Sequence, residues 1–157
     1  MNRVGLGFDA HAFAEDRTLV LGGVTIPGAL GLAGHSDADV VAHAIADAIL
    51  GAAGLGDLGE RYPATDLYRD ADSLELLREC AAEVRAAGWT IENADCTIVA
   101  EGPRITPFKE QMVDNLARSM EVSPGRVSVK ATTTDGMGFT GRHEGIGAIA
   151  VALLSAD

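Results

Sequence analysis

Ile146-Gly147-Ala148-Ile149-Ala150-Val151-Ala152-Leu153-Leu154 reads as a β-strand without a polar side chain. As a strand it is apolar on both parities, with Ile146, Ala148, Ala150, Ala152 and Leu154 on one face and Gly147, Ile149, Val151 and Leu153 on the other. Side chains alternate across a strand, so this composition implies burial on both faces. The rest of the chain offers three helical segments, enough to cover one side of a small sheet. The other side would expose a large apolar patch unless a neighbouring subunit covers it. The expectation is an α+β fold, a small mixed β-sheet covered by helices on one face and packed in a homo-oligomer on the other.

Working back from that strand, Val127 to Thr133 and Asp95 to Ala100 read as two further strands. Between them Thr106 and Pro107 open a helix as N-cap and first residue, running to about Met120. Ser73 to Ala87 places Leu74, Leu77, Ala81 and Val84 on one helical face and stops at Gly88. Gly54 to Asp70 has neither period and is longer than most loops in small domains, which marks it as functional or as a run of plain turns. Before it, Ser36 reads as the N-cap of a helix, with Asp39 three residues on as a short-armed capping box and Asp37 favouring the positive end of the dipole. Val40, Val41, Ala44, Ile45, Ala48 and Ile49 form its apolar stripe, which puts Asp39, His43 and Asp47 on the other face. Arg3 to Phe8 and Leu19 to Ile26 read as strands joined by an acidic loop, Ala10 to Thr18, with a bend at Gly22-Gly23. No repeat or linker divides the chain, so residues 1–157 form a single domain.

Of the 157 residues, 23 are acidic and 12 basic, a net charge of −11 that disfavours nucleic acid and anionic membranes as partners. A polyanionic substrate would need metal ions, backbone N–H groups and a few placed arginines. Two cysteines, Cys80 and Cys96, make no disulfide framework. The longest apolar run, Gly145 to Leu154, is about half the ~20 residues of a membrane helix, and no secretory signal opens the chain. A cytoplasmic protein is expected.

Asp9 and His11 sit two residues apart at the end of the Val4 to Phe8 strand, so both side chains leave the same side. Two more of the four histidines follow in Gly34-His35-Ser36-Asp37-Ala38-Asp39 and at His43. An N/O ligand set without cysteine points to an open, reactive metal site. In the competing reading, Asp9 merely orients His11 and His43 is a solvated helix residue. Asp39 and Asp47 are candidates to support the ligands, or to replace Asp9. Two glycine patterns, Gly5-Leu6-Gly7-Phe8-Asp9-Ala10 and Gly136-Met137-Gly138-Phe139-Thr140-Gly141, lack the strand, helix and acidic residue of a dinucleotide fingerprint.

Taken together, Gly7-Phe8-Asp9-Ala10-His11, His35-Ser36-Asp37-Ala38-Asp39 with His43, Gly56-Asp57-Leu58-Gly59, Ala131-Thr132-Thr133-Thr134-Asp135 and Phe139-Thr140-Gly141-Arg142 resemble one family over nearly the whole chain. It is that of the 2-C-methyl-D-erythritol 2,4-cyclodiphosphate synthases of non-mevalonate isoprenoid biosynthesis. The resemblance implies a homotrimer with active sites between neighbours. It also implies a reaction in which the 2-phosphate of 4-diphosphocytidyl-2-C-methyl-D-erythritol 2-phosphate attacks the β-phosphorus and CMP leaves. Asp9, His11 and His43 would hold zinc or another divalent metal, and His35 and Thr133 would stabilise the transition state. Ser36, Asp57, Gly59 and the segment Tyr62, Pro63, Ala64, Thr65 and Asp66 would meet the methylerythritol part, and Asp9, His11, His35 and Leu58 would also touch the substrate. Ala100, Arg104, Ile105, Thr106, Ala131, Thr132 and Thr133 of the adjacent subunit would frame the cytidine and its phosphates, with Thr134 and Asp135 completing the contact. A second cation, magnesium or manganese, would bridge the phosphates near Asp135. Phe139 and Arg142 would face the trimer axis, where an isoprenoid diphosphate can sit.

Several positions depart from the family pattern. Asp135 stands for the usual Glu, one methylene shorter, so a bridging water is expected between it and the second cation. Arg104 stands for Lys, Ala38 for Gly, Ala64 for Asp, and His143 for Gly, adding a charge-switchable group near the axial channel. Two rivals use the same residues: a metal-dependent phosphoester hydrolase with metal-bound water as nucleophile, and a non-catalytic trimer that binds isoprenoid diphosphates.

Overall fold

The first strand, β1 (Asn2–Ala14), runs the length of the sheet in the computed structural model, which describes residues 1–157. It continues well past Phe8, because its second half finds partners far along the chain: Asp9 pairs with Ala148, His11 with Ile146 and Phe13 with Leu32. The expected loop Ala10 to Thr18 therefore shrinks to its last four residues. β2 (Leu19–Leu21) and β3 (Val24–Ile26) replace the single strand expected from Leu19 to Ile26. They form a hairpin closed by Gly22 and Gly23, whose φ angles of 56° and 70° satisfy a two-residue turn that needs left-handed backbone at both positions.

β4 (Gly31–Leu32) leads to the long helix α1 (Val40–Ala53), and α2 (Leu58–Arg61) and a 3-10 turn at Asp66–Tyr68 give order to the stretch read as aperiodic. Then come α3 (Ser73–Ala86), β5 (Thr90–Val99), α4 (Lys109–Met120), β6 (Val127–Thr132), the single-turn α5 (Gly138–Gly141) and β7 (Gly145–Ser155). β5 starts five residues before the expected Asp95. Thr106 and Pro107 open a 3-10 turn ahead of α4 and do not cap it.

The sheet order is β4-β1-β7-β5-β6, antiparallel except for the β5–β6 pair, which makes it mixed as expected. β7 is its centre. One parity, Ile146 to Leu154 in steps of two, is fully buried against α1. A Cβ at Gly5 would lie 1.9 Å from the Ala48 carbonyl oxygen, and one at Gly7 1.9 Å from that of Ala44. The Gly-x-Gly of β1 is thus the contact on which α1 rests, which accounts for that pattern without any nucleotide. α3 and α4 pack on the same side as α1.

The other parity of β7 is not covered within one chain: Ile149 is 40% and Val151 41% exposed, beside Val4 at 69%, Leu6 at 67% and Phe8 at 54%. Register pairs Val4 with Leu153, Leu6 with Val151 and Phe8 with Ile149, so these side chains form one contiguous apolar ladder.

α1 does not start where its sequence suggests. Its N-cap is Asp39, whose carboxylate accepts the N–H groups of Val41 and Ala42 and, across the fold, those of Gly22 and Gly23. Ser36 instead closes a tight turn by accepting the Ala38 N–H at 3.2 Å.

Candidate functional site

Gly5 and Gly7 lay α1 on β1 with Ala48 and Ala44 as the points of contact, and one strand repeat further along β1 brings Asp9 level with the first turn of the helix. There His43 meets it. The His43 Nδ1 lies 2.9 Å and the His11 Nε2 3.0 Å from the same Asp9 oxygen, Oδ2. One ligand atom from each of the three lies within 4.8 Å of the other two. Side-chain exposures of 23% for Asp9 and His11 and 12% for His43 leave the group open on one side only. Gly34 makes room for the His11 ring, since a Cβ there would come within 3.2 Å of His11 Cε1. Burial, the largest influence on Asp9, would raise its pKa, but hydrogen bonds to His11 and His43 and their charges overcome it and bring the carboxyl down to about 2. For His43, burial works against the charged form, while the Asp9 hydrogen bond and the charges of Asp9, Asp39 and Asp37 raise its pKa on balance.

Two nitrogens and a carboxylate on two rigid elements, β1 and α1, suit a divalent ion of borderline character. Behind the trio stand residues that spacing alone did not single out. Ser73, buried at the start of α3, lies with its Oγ 2.7 Å from His43 Nε2 and donates its proton to Asp37. Asp39 does not serve the site: it is fully buried and committed to four backbone N–H groups, so the row Asp39, His43, Asp47 does not share one environment. Burial and then Asp37 push Asp39 up to about 6 against the pull of the Gly23, Ala42 and Gly22 N–H groups. Asp47 does line the site, where its carboxylate accepts the Leu58 N–H at 2.8 Å and anchors α2.

The trio opens into a cavity of about 250 Å³ shared with His35, Ser36, Leu58, Gly59, Tyr62 and Ala64, and with Tyr68 and Leu76, which the sequence reading passed over. His35 donates from Nε2 to the Thr65 carbonyl. Asp57 caps α2 through the Glu60 N–H at 2.9 Å and does not line the cavity. The Tyr62 hydroxyl is held by Glu79 at 2.6 Å, and Asp66 pairs with Arg69, so neither presents a free polar end to a ligand. Pro63 and Thr65 stay on the exposed surface of the same loop.

A second crevice, about 280 Å³, is lined by Ala100, Glu101, Pro103, Arg104, Ile105, Thr106 and Ala131 to Thr133. It shares no residue with the first. His35 and Thr133, expected to act together, are therefore not brought together within one chain. Glu101 organises the adjoining loop by accepting from Thr134 N and Oγ1 and Gly136 N at 3.1 to 3.3 Å. Thr133 Oγ1 donates to Asp135 Oδ1 at 3.3 Å. Arg142 is paired with Glu144, while Phe139 leans over Gly147 beside Phe8, on the bare face of the sheet. His143, with φ 58°, lines an apolar crevice with Phe13, Leu30 and Pro103. A larger crevice of about 390 Å³ near Arg85 and Arg126 offers no free cation, because the two arginines are paired with Glu121 and Glu92.

The sequence pattern of the YgbB family matches residues 2–155. A 2-C-methyl-D-erythritol 2,4-cyclodiphosphate synthase from Moorella thermoacetica is 56% identical over 153 residues, 97% of this chain and 94% of that protein. The bifunctional IspDF of Campylobacter jejuni superimposes with a TM-score of 0.96 at 44% identity, covering 100% of this chain and 43% of that one. IspF of Plasmodium falciparum, solved as a CDP complex, superimposes at 0.87 with 30% identity over 99% of this chain and 97% of its own.

Proposed function

The chain belongs to the YgbB family, whose matching curated members include 2-C-methyl-D-erythritol 2,4-cyclodiphosphate synthases, and we propose that it performs their reaction. In that reaction an oxygen of the 2-phosphate of 4-diphosphocytidyl-2-C-methyl-D-erythritol 2-phosphate bonds to the β-phosphorus. The bond from that phosphorus to the bridging oxygen breaks, and CMP leaves with the oxygen. The observation that carries this reading is the Asp9, His11 and His43 trio at the mouth of a cavity that also holds His35 and Ser36.

When bound there, a zinc or similar divalent ion neutralises phosphate oxygens and helps to align attack. No side chain need act as nucleophile. Both reacting groups belong to one molecule, and holding it folded is worth ~7 to 11 kcal/mol when alignment is good. His35 supplies a ring N–H that now rests on the Thr65 carbonyl and can turn to a phosphate oxygen, and Ser36 supplies a hydroxyl beside it. Gly59 and the backbone of Tyr62 to Ala64 leave room for the methylerythritol part.

The cytidine and its phosphates take the second crevice, with Arg104 and the Thr132 and Thr133 hydroxyls reaching the anion. Since the two crevices are separate within one chain, the working site joins the first of one copy to the second of its neighbour. The bare ladder of Val4, Leu6, Phe8, Ile149 and Val151 supports packing of three copies about an axis. A magnesium or manganese ion carried on the substrate diphosphate belongs with Asp135, and an isoprenoid diphosphate in the axial cavity belongs with Phe139 and Arg142. No helix is long and apolar enough to cross a membrane, and we place the activity in the cytoplasm.

Incubation with 4-diphosphocytidyl-2-C-methyl-D-erythritol 2-phosphate and divalent ions tests the reading. Cyclic diphosphate and CMP in equal amounts are expected. Linear phosphate products would make the chain a hydrolase.

A further inference from the structure

We propose that Ser73 and Asp37 form a positioning relay that fixes the His43 imidazole with its proton on Nε2 and its Nδ1 lone pair turned to the ion site. The inference rests on the reading of Asp9, His11 and His43 as a metal site and adds two residues that touch neither ion nor substrate.

A serine hydroxyl has a single proton, and the Ser73 proton goes to Asp37, whose carboxylate can only accept. Ser73 Oγ therefore turns lone pairs to His43 Nε2 at 2.7 Å, and that nitrogen must be the donor. In the ion-bound form the imidazole is neutral and carries one N–H, so Nδ1 is left bare for the ion; when no ion is bound, a proton between Nδ1 and Asp9 takes its place. Nδ1 points into the trio, 2.9 Å from Asp9 Oδ2. The neighbouring hydroxyl, Ser36 Oγ, is also on the Nε2 side but at 3.3 Å. Ser73 is 1% exposed, so water has no access to replace its hydroxyl.

Asp37 is itself immobilised. It accepts the Ser73 backbone N–H at 3.0 Å and the Asp39 N–H at 3.1 Å. The N-cap of α3 is the neighbouring Asp72, which accepts the Leu74 N–H, so starting that helix does not need the Ser73 hydroxyl. The hydroxyl's partners are His43 and Asp37. A partner that orients a ligating imidazole in this way is commonly worth ~10 to 100-fold in metal affinity.

Zinc affinity measured by competition with a chromophoric chelator tests the relay on the full chain. Ser73→Ala is expected to weaken zinc binding by ~10 to 100-fold, and Ser73→Thr, which keeps the hydroxyl, to restore most of it. Asp37→Asn keeps the volume but can donate its amide to Ser73 Oγ. That would turn the serine proton toward Nε2 and shift the imidazole proton to Nδ1, so a loss at least as large as that of Ser73→Ala is expected. The double variant should bind no more weakly than the weaker single variant. Nitrogen-15 NMR of the unmodified, zinc-loaded protein gives a reading that does not depend on how the variants fold, and should show His43 protonated at Nε2. Unchanged zinc affinity in Ser73→Ala and Asp37→Asn, or a His43 proton on Nδ1, would overturn the relay while leaving the metal site standing. Failure of the unmodified chain to bind zinc would remove both.

Discussion

At the Asp9 corner the ligands and their supports come from one chain: Asp9 and His11 from β1, His43 from α1, Ser73 from α3 and Asp37 from the loop between. The crevice at Ala131 to Thr133 is different. Its threonines are exposed, Arg104 reaches into solvent, and no histidine lines it. The first region is enclosed on all sides but one, and the second lies open along its length. What separates them is burial: helix–sheet packing at Gly5 and Gly7 encloses the corner, whereas the crevice lies beyond the C-terminal ends of β5 and β6.

Damage inside the corner should have the largest effect. Asp9→Ala is expected to lower CMP formation by roughly three orders of magnitude, in line with the loss of a principal source of charge stabilisation. The loss should appear in kcat, with the fold retained by circular dichroism. An attack on the bare face comes next and separates the regions. Leu6→Glu places a charge in the Val4, Leu6, Phe8, Ile149 and Val151 ladder, and is expected to yield monomers by light scattering and to cut activity by about 100-fold or more. Metal binding should survive, because the corner does not depend on a neighbour. Loss of metal binding in the same variant would contradict that independence.

The two carboxylates around α1 give a third contrast, read in the metal-free protein. Asp9 is held at about 2, below its ordinary 3.8, so the folded state binds fewer protons and its contribution is lost as pH falls from about 4 to about 2. Asp39 is raised to about 6, so the folded state binds more protons, and stability declines as pH rises from about 4 to about 6. The change is of order 3 kcal/mol. Urea titrations at pH 4 and pH 6.5 should show that slope in the unmodified chain and its absence in Asp39→Asn. The smallest effect belongs to His143, where a non-glycine residue sits at φ 58°. Replacing His143 by Gly relieves left-handed strain at some cost in chain entropy and should stabilise by ~0.5 to 1 kcal/mol, about the size of the difference between those terms. A thermal melt reads it, with the metal corner unaffected.

The contrast also marks where the sequence was legible. The central strand and the α1 stripe announce themselves by period, and Asp9 and His11 by a spacing that puts two ligands on one side of a strand. β1 beyond Phe8 did not, because its pairing partners lie more than a hundred residues away at Ile146 and Ala148. The cap of α1 was misread for a similar reason: Asp39 is chosen over Ser36 by the Gly22 and Gly23 N–H groups, which only the folded β2–β3 turn presents. Ser73, 30 positions from His43, looks in sequence like an ordinary helix start. Apolar strength in β7 predicted burial on both faces, and one chain supplies only one of them. Ala38 and His143, where the resemblance led glycine to be expected, both sit at φ 58°, a left-handed conformation that sequence alone does not reveal.

The central claim is that Asp9, His11 and His43 together hold one divalent ion. Zinc stoichiometry by elemental analysis after exhaustive dialysis, on the unmodified chain and on His43→Ala, tests it most directly. One zinc per chain in the first and none in the second is the predicted result. Equal zinc in both, or none in the unmodified chain, would contradict it.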